Sequence, residues 1–138
     1  MKHTDSVEIQ QFYARHMHLL DGGAAEAWAR TFTPDATFAA PSMTEPVRGR
    51  EDIAAGARAA VGRRAADAEV HRHCVTMTTA QETGDGIEAV SYVQILATRR
   101  HGAPRLLLSC VMRDRLVRQD GELLVAQRRI SRDDRPHG

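Results

Sequence analysis

Histidines and carboxylates are the groups to weigh first, because an imidazole titrates near neutrality and can both take and give a proton. His16 shares a helical face with Ile9, Tyr13 and Leu20, so a polar ring interrupts an apolar stripe. Burying such a ring without a partner costs roughly 1–3 kcal/mol. His16 therefore needs either a substrate oxygen, which would make it a second acid, or a structural partner such as Tyr92 or a backbone carbonyl. His71 and His73 alternate onto one face of a strand, a spacing that presents two metal ligands. A third from Asp21, His16 or Asp114 would complete a site, but no other residues have metal-motif spacing and no metal is expected. On the next strand Tyr92, Gln94, Leu96 and Thr98 are expected to face inward, with Tyr92 and Gln94 as donors to a carbonyl or phenol oxygen. Alternatively Tyr92 packs on the helices with its hydroxyl at a rim. On a third strand Cys110, Met112 and Asp114 share a face. Asp114 is a possible acid or substrate contact, and pairing with Arg128 or Arg129 is its stronger reading. Cys110 has no evident activating base and reads as a small core residue.

The elements that must position these groups change character halfway along the chain. Asp5 and Glu8 have capping-box spacing for a first helix that ends at Asp21-Gly22-Gly23. A shorter second helix should carry Trp28 and Phe32 on its inner face, ended by Pro34-Asp35, with a short strand from Ala36 to Ala40. A loop from Pro41 to Gly49 precedes a third helix over Glu51 to Arg63, with Ile53, Ala57 and Val61 on one side. From Glu69 the period becomes two: strands are expected over Val70–Thr79, Ile87–Arg99, Arg105–Arg118 and Glu122–Ser131, with Asp120-Gly121 a strong hairpin signal. Asp133 to Gly138 should fray. Helices followed by strands indicate an α+β fold: a curved antiparallel sheet wrapped around three N-terminal helices, a half-cone with an open apolar mouth suited to a small molecule. Trp28, Phe32, Phe38, Met43 and Met112 either wall such a cavity or fill the core.

The 138 residues are expected to form one domain. Nineteen Lys+Arg against eighteen Asp+Glu leave a net charge of +1, which argues against nucleic acid and against a polybasic membrane tether. The longest apolar run, Leu106 to Met112, is strand-sized. The first residues lack an apolar signal-peptide core, and two cysteines make no disulfide framework, so a cytoplasmic protein is expected. Arg113, Arg115 and Arg118 read as a solvated or dimer-facing sheet surface. Phosphate-binding glycine loops and GxSxG elbows are absent, which leaves nucleotide and serine-hydrolase readings without support.

A set of short segments in order resembles the SnoaL-like branch of the NTF2-like superfamily: Leu20-Asp21-Gly22-Gly23 with Ala27-Trp28, Phe32 through Phe38, Val47 through Glu51, Arg72-His73, Ser91-Tyr92, Arg113 through Leu116, Asp120-Gly121 and Arg128-Arg129. The resemblance runs from about Val7 to Arg132 and is more specific for fold than for activity. It implies the half-cone, a cavity faced by both Asp21 and His73, and a pair like that of scytalone-dehydratase-like members, in which the carboxylate orients the imidazole. The plainer alternative is a helix-stop aspartate and a satisfied core histidine. An ungapped count places Thr98 where that pattern has a second histidine, Met112 near its asparagine and Leu20 at one tyrosine, so scytalone itself is not the expected substrate. A ketosteroid-isomerase pattern fits less well, with Ala40 at the base position and His16 at the tyrosine. The resemblance implies a cofactor-independent enzyme, a lyase or isomerase of antibiotic-type secondary metabolism. It would cyclise, dehydrate or isomerise a hydrophobic polyketide-like metabolite through Asp21, His73 and His16. Tyr13, Trp28, Phe32, Phe38, Tyr92, Gln94, Thr98, Met112 and Asp114 would contact the substrate. It also implies a homodimer through the outer sheet face. The competing readings are a non-catalytic binding or scaffold module like dioxygenase β-subunits, and an epoxide hydrolase using Asp21 and Asp114.

Overall fold

In the computed structural model, which describes residues 5–135, the polypeptide opens with helix α1, Ser6–Asp21. Asp5 caps it by accepting the Val7 N–H at 2.9 Å. Glu8, the other half of the expected capping box, takes the Arg118 guanidinium at 2.6 and 2.8 Å and ties the helix to the sheet. The buried stripe is Ile9, Phe12, Tyr13, His16 and Met17, broader than the sequence stripe by Phe12 and Met17, while Leu20 is only half-buried. Gly23 ends the helix with φ +85°, and a side chain there would be strained.

Helix α2, Ala25–Ala29, is a single turn and ends before Phe32. Phe32 instead opens strand β1, Phe32–Ala39, which runs straight through Pro34-Asp35. The reason lies in the pairing. β1 is parallel to the last strand, and its register jumps between Phe32↔Val125 and Thr37↔Gln127. Residues 33–36 bulge out of the ladder, so the missing proline N–H breaks no pair there. A short β2, Val47–Arg48, leads into α3, Arg50–Ala66. Four long strands follow: β3, Glu69–Thr83; β4, Gly86–Arg99; β5, Arg105–Gln119; and β6, Glu122–Arg132. The sheet order is β2-β1-β6-β5-β4-β3, antiparallel except for β1 with β6. Each of the three long hairpins contains a register shift, at Thr76–Thr79, Ile95–Leu96 and Arg115–Leu116. Such bulges bend strands and add twist, curling the sheet around the helices. The expected end fraying does not begin at Asp133, whose N–H bonds the Ser109 carbonyl at 3.0 Å; residues 136–138 lie outside the described residues. Among the described residues no helix is long and apolar enough to cross a membrane.

Candidate active site

Asp21 is the last residue of α1, where the helix leaves carbonyls without partners and presents its negative end. Arg64 of α3 answers both problems. Its guanidinium donates to the carbonyls of Leu20 and Asp21 at 2.5 and 3.0 Å. Across from Asp21 runs β3, the edge of the sheet, whose outward N–H groups have no strand to bond. One Asp21 oxygen accepts the His73 backbone N–H at 3.0 Å, and the other meets the His73 ring Nδ1 at 2.6 Å. A carboxylate can only accept, so Nδ1 carries a proton, and in the neutral ring the lone pair is on Nε2. The Asp21 side chain is 8% exposed and that of His73 15%.

His73 borders an apolar cavity of about 340 Å³, whereas Asp21, expected to face it too, is not among the lining residues and reaches it only through the His73 ring. Met17 and Leu20 of α1, Trp28, Phe38, Met43, Ile53 and Ala57 form one side. Val93, Ile95, Cys110, Met112 and Ile130 form the sheet side. Trp28, Phe38 and Met112 are thus walls as expected. Arg128 also lines it, and Asp52, Arg63 and Arg132 are its other charged lining residues. The Cys110 thiol is pushed up by burial first and by the Asp133 charge second, in keeping with a packing role.

Behind this cavity lies a buried polar network. Arg128 grips Asp114 through Nε and Nη2 at 2.8 and 2.9 Å, and Tyr13 donates its hydroxyl to Asp114 at 2.7 Å. This confirms Arg128 as the Asp114 partner. It corrects Asp114 and Tyr13 as substrate contacts, because each spends its polar atoms on the network and neither borders the cavity. Burial, and then the Asp114 charge, push the Tyr13 phenol well above its ordinary range. The Arg128 Nη1 reaches His16 Nε2 at 2.9 Å, and Trp28 Nε1 donates to the same atom at 3.1 Å. With two donors on Nε2, His16 must hold its proton on Nδ1, which donates to Thr31 Oγ1 at 2.6 Å; Thr31 in turn donates to the Trp28 carbonyl. His16 is fully buried between these partners and Phe12, and it borders a separate, more polar cleft between α1 and β6 rather than the His73 cavity. It is a satisfied structural histidine, not the second acid, and its partners are Arg128, Trp28 and Thr31 rather than Tyr92. Phe32, expected as a cavity wall, lies wholly buried under Arg128, whose Cζ stands 5.1 Å from its ring.

Burial holds the His16 imidazolium pKa well below its ordinary value, and the neighbouring Arg128 charge and then His73 add to this. The folded state refuses a proton that the unfolded chain accepts below about pH 6.5. Stability should therefore fall as pH drops from about 6.5, by up to about 1.4 kcal/mol per pH unit from this group. Glu69, held down at about 2 by hydrogen bonds from His71 and Arg105, starts to lose its own contribution only below the ordinary carboxylate range, outside this window. Urea unfolding at pH 7.5 and 5.5 checks this. The loss should shrink in His16→Gln, and an equal loss in both proteins would refute it.

The β4 expectation is overturned by one residue of phase. His73 pairs with Ile95, and Ser91, Val93, Ile95 and Ala97 face the helices, while Tyr92 is 51% exposed on the outer face with Gln94, whose amide accepts from Thr76. Thr98 follows the same outer phase, away from the cavity. A shift of one position turns a whole strand's side chains over. The signal was present, because Ile87, Ala89, Ser91, Val93, Ile95 and Ala97 are all small or apolar at every second position. His71 bonds Glu69 at 2.7 Å instead of being solvated, and among the described residues no three His, Cys, Asp or Glu side chains converge as a metal site.

Residues 2–129 match the SnoaL-like domain. The chain belongs to the SnoaL-like domain family. Among solved structures, Aln2 from a Streptomyces species is 39% identical over 96% of each chain, with a TM-score of 0.87. ActVI-ORFA from Streptomyces coelicolor is 32% identical, covering 93% of this chain and 96% of its own, with a TM-score of 0.85. A Catenulispora acidiphila protein solved in complex with S-DNPA is 38% identical, covering 93% and 92%, with a TM-score of 0.81. The β-subunit of benzoate 1,2-dioxygenase from Burkholderia mallei, at 18% identity and a TM-score of 0.81 over 97% and 94% of the two chains, shares the fold.

Proposed function

We propose that this SnoaL-like protein is an enzyme that moves a proton on a hydrophobic, polyketide-like metabolite, in a cyclisation, dehydration or isomerisation. The observation that carries this reading is His73 on the wall of an apolar cavity, with Asp21 bonded to its ring from behind the wall. Asp21 fixes the ring and leaves Nε2 to accept a proton from a carbon beside a carbonyl. The carboxylate then faces the imidazolium charge that forms, and the same nitrogen returns the proton to the product. The apolar walls exclude water and strengthen these contacts. A filled interior would have favoured a scaffold module, and the open cavity supports the enzyme instead. Epoxide hydrolysis is disfavoured because Asp114 is already bound by Arg128 and Tyr13.

S-DNPA, bound by the Catenulispora relative, is the first compound to test, followed by a panel of aryl ketones incubated in D2O. Wild-type protein should exchange the proton beside the ketone in at least one compound that it binds. Binding without any exchange or turnover across the panel would favour a pure binding module.

The family resemblance also leads us to propose a homodimer through the outer sheet face. Val70, Tyr92, Leu96 and Leu106 are 47%, 51%, 36% and 60% exposed there, large apolar groups that burial would stabilise. Light scattering at micromolar concentration should give twice the 15.3 kDa chain mass, and Tyr92→Glu should shift the population toward monomer. A monomeric wild type refutes the dimer.

A further inference from the structure

Arg128 is the part of the cavity wall that this proton transfer leaves unused. Its side chain is 1% exposed, yet it borders the same cavity as His73. A guanidinium has five N–H groups. Nε and one N–H of Nη2 go to Asp114, and one N–H of Nη1 goes to His16. One N–H on each terminal nitrogen has no protein acceptor among the described residues. The guanidinium is pinned by four neighbours: Asp114 at one edge, His16 at another, and the rings of Phe32 and Phe38 at 5.1 and 5.9 Å from Cζ. Asp114 balances the positive charge and is itself steadied by Tyr13, so the pair needs no bound anion. Fixed donors in a dry site, with no reorganisation left to perform, are suited to charge that develops during a reaction.

Helix α1 sets the spacing between the two groups. It holds His73 through Asp21 and Arg128 through His16. Those anchors are five residues apart, about 7.5 Å of helical rise.

We propose that Arg128 receives the substrate oxygen that turns negative when His73 takes a proton, and that the substrates are fused-ring phenols or aryl ketones carrying that oxygen roughly one or two ring widths from His73. This rests on the proton-transfer reading of His73. In the step, the C–H bond breaks and its proton goes to His73 Nε2. The bonding pair moves through the conjugated ring system into a new C=C bond, and the carbonyl π pair moves onto oxygen as an enolate or phenolate, held by the free Arg128 N–H groups. Return of the proton to carbon, or its transfer to a departing hydroxyl as water, regenerates the imidazole.

The test uses 2-naphthol as the oxygen-bearing probe and naphthalene as its match without oxygen. Both are titrated into wild type, His73→Ala and the charge-free triple variant Tyr13→Phe/Asp114→Leu/Arg128→Met. Wild type and His73→Ala should both prefer 2-naphthol by roughly 10- to 100-fold, the range for a hydrogen bond to a charged group. The triple variant should bind the two within about threefold of each other, since little donor contribution then remains. Should the triple variant not fold, Arg128→Lys provides the comparison, because it keeps the charge without the planar fork and should lose most of the preference. Equal wild-type affinity for both probes, or a preference that disappears in His73→Ala and survives without Arg128, overturns the assignment. Failure of both probes to bind up to their solubility overturns the fused-ring class. Proton exchange retained in His73→Ala would instead sink the His73 reading, whatever the probe preference shows.

Discussion

Replacing His73 with alanine is expected to lower kcat/KM on any turned-over substrate by about 10²- to 10⁴-fold, the usual contribution of a positioned acid–base group. Ligand affinity should stay within a few-fold, because most of the cavity wall is apolar and belongs to other residues. Asp21→Asn should be milder and more informative. The amide oxygen can still accept from Nδ1, but the negative charge that faces the developing imidazolium is gone. Its loss should fall mainly on kcat, since the charge matters once the proton has moved. Thermal melting must accompany both assays, because Asp21 also holds the His73 backbone N–H and so pins α1 to the sheet edge. Full turnover in both variants, with unchanged melting, would remove the pair from the mechanism.

The second large effect concerns stability. Arg128→Met alone strands the Asp114 carboxylate, which is fully buried, with only the Tyr13 hydroxyl to answer it. Breaking a buried ion pair from one side costs about 3–5 kcal/mol. Removing the whole polar group together, as Tyr13→Phe/Asp114→Leu/Arg128→Met, should cost far less and bring stability to within about 2 kcal/mol of wild type. His16 would keep the Trp28 N–H on Nε2, so no buried nitrogen is orphaned. Urea midpoints of the four proteins, with Asp114→Leu as the reciprocal single change, measure this. A triple variant as unstable as the single ones would mean that the network stabilises the fold in its own right. If it is close to wild type, the network is retained for the cavity it shapes.

The two effects separate what the buried groups do. Asp21–His73 closes the open edge of the sheet and leaves one nitrogen for chemistry. Asp114–Arg128–His16 has nearly every polar atom satisfied and gives the cavity a rigid polar floor.

Much of this was legible in the chain itself. Helix ends and tight turns are local events, so Asp5 and Gly22-Gly23 marked the ends of the first helix and Asp120-Gly121 marked the last hairpin. The change from a 3.6 to a 2 period marked the passage from helices to sheet, and the ordered short segments pointed to the family and to Asp21 with His73. Tyr92, Gln94 and Thr98 were assigned to the wrong face although the small and apolar residues from Ile87 to Ala97 held the right phase. Arg128 is a different case. Leu123 and Val125 point inward, and strict alternation would turn Arg128 out to solvent. The register shift near Ala126 inserts one residue, and every later side chain changes face. Likewise Phe32 and Pro34 read locally as the end of a helix, and only pairing with a strand from the far end of the chain makes them β1. Local sequence thus determined most of the elements and several of their ends, and the ordered segments singled out Asp21 and His73. Tertiary structure decided which side chains meet across the cavity, because a bulge is selected by long-range pairing and one extra residue reverses what a strand presents.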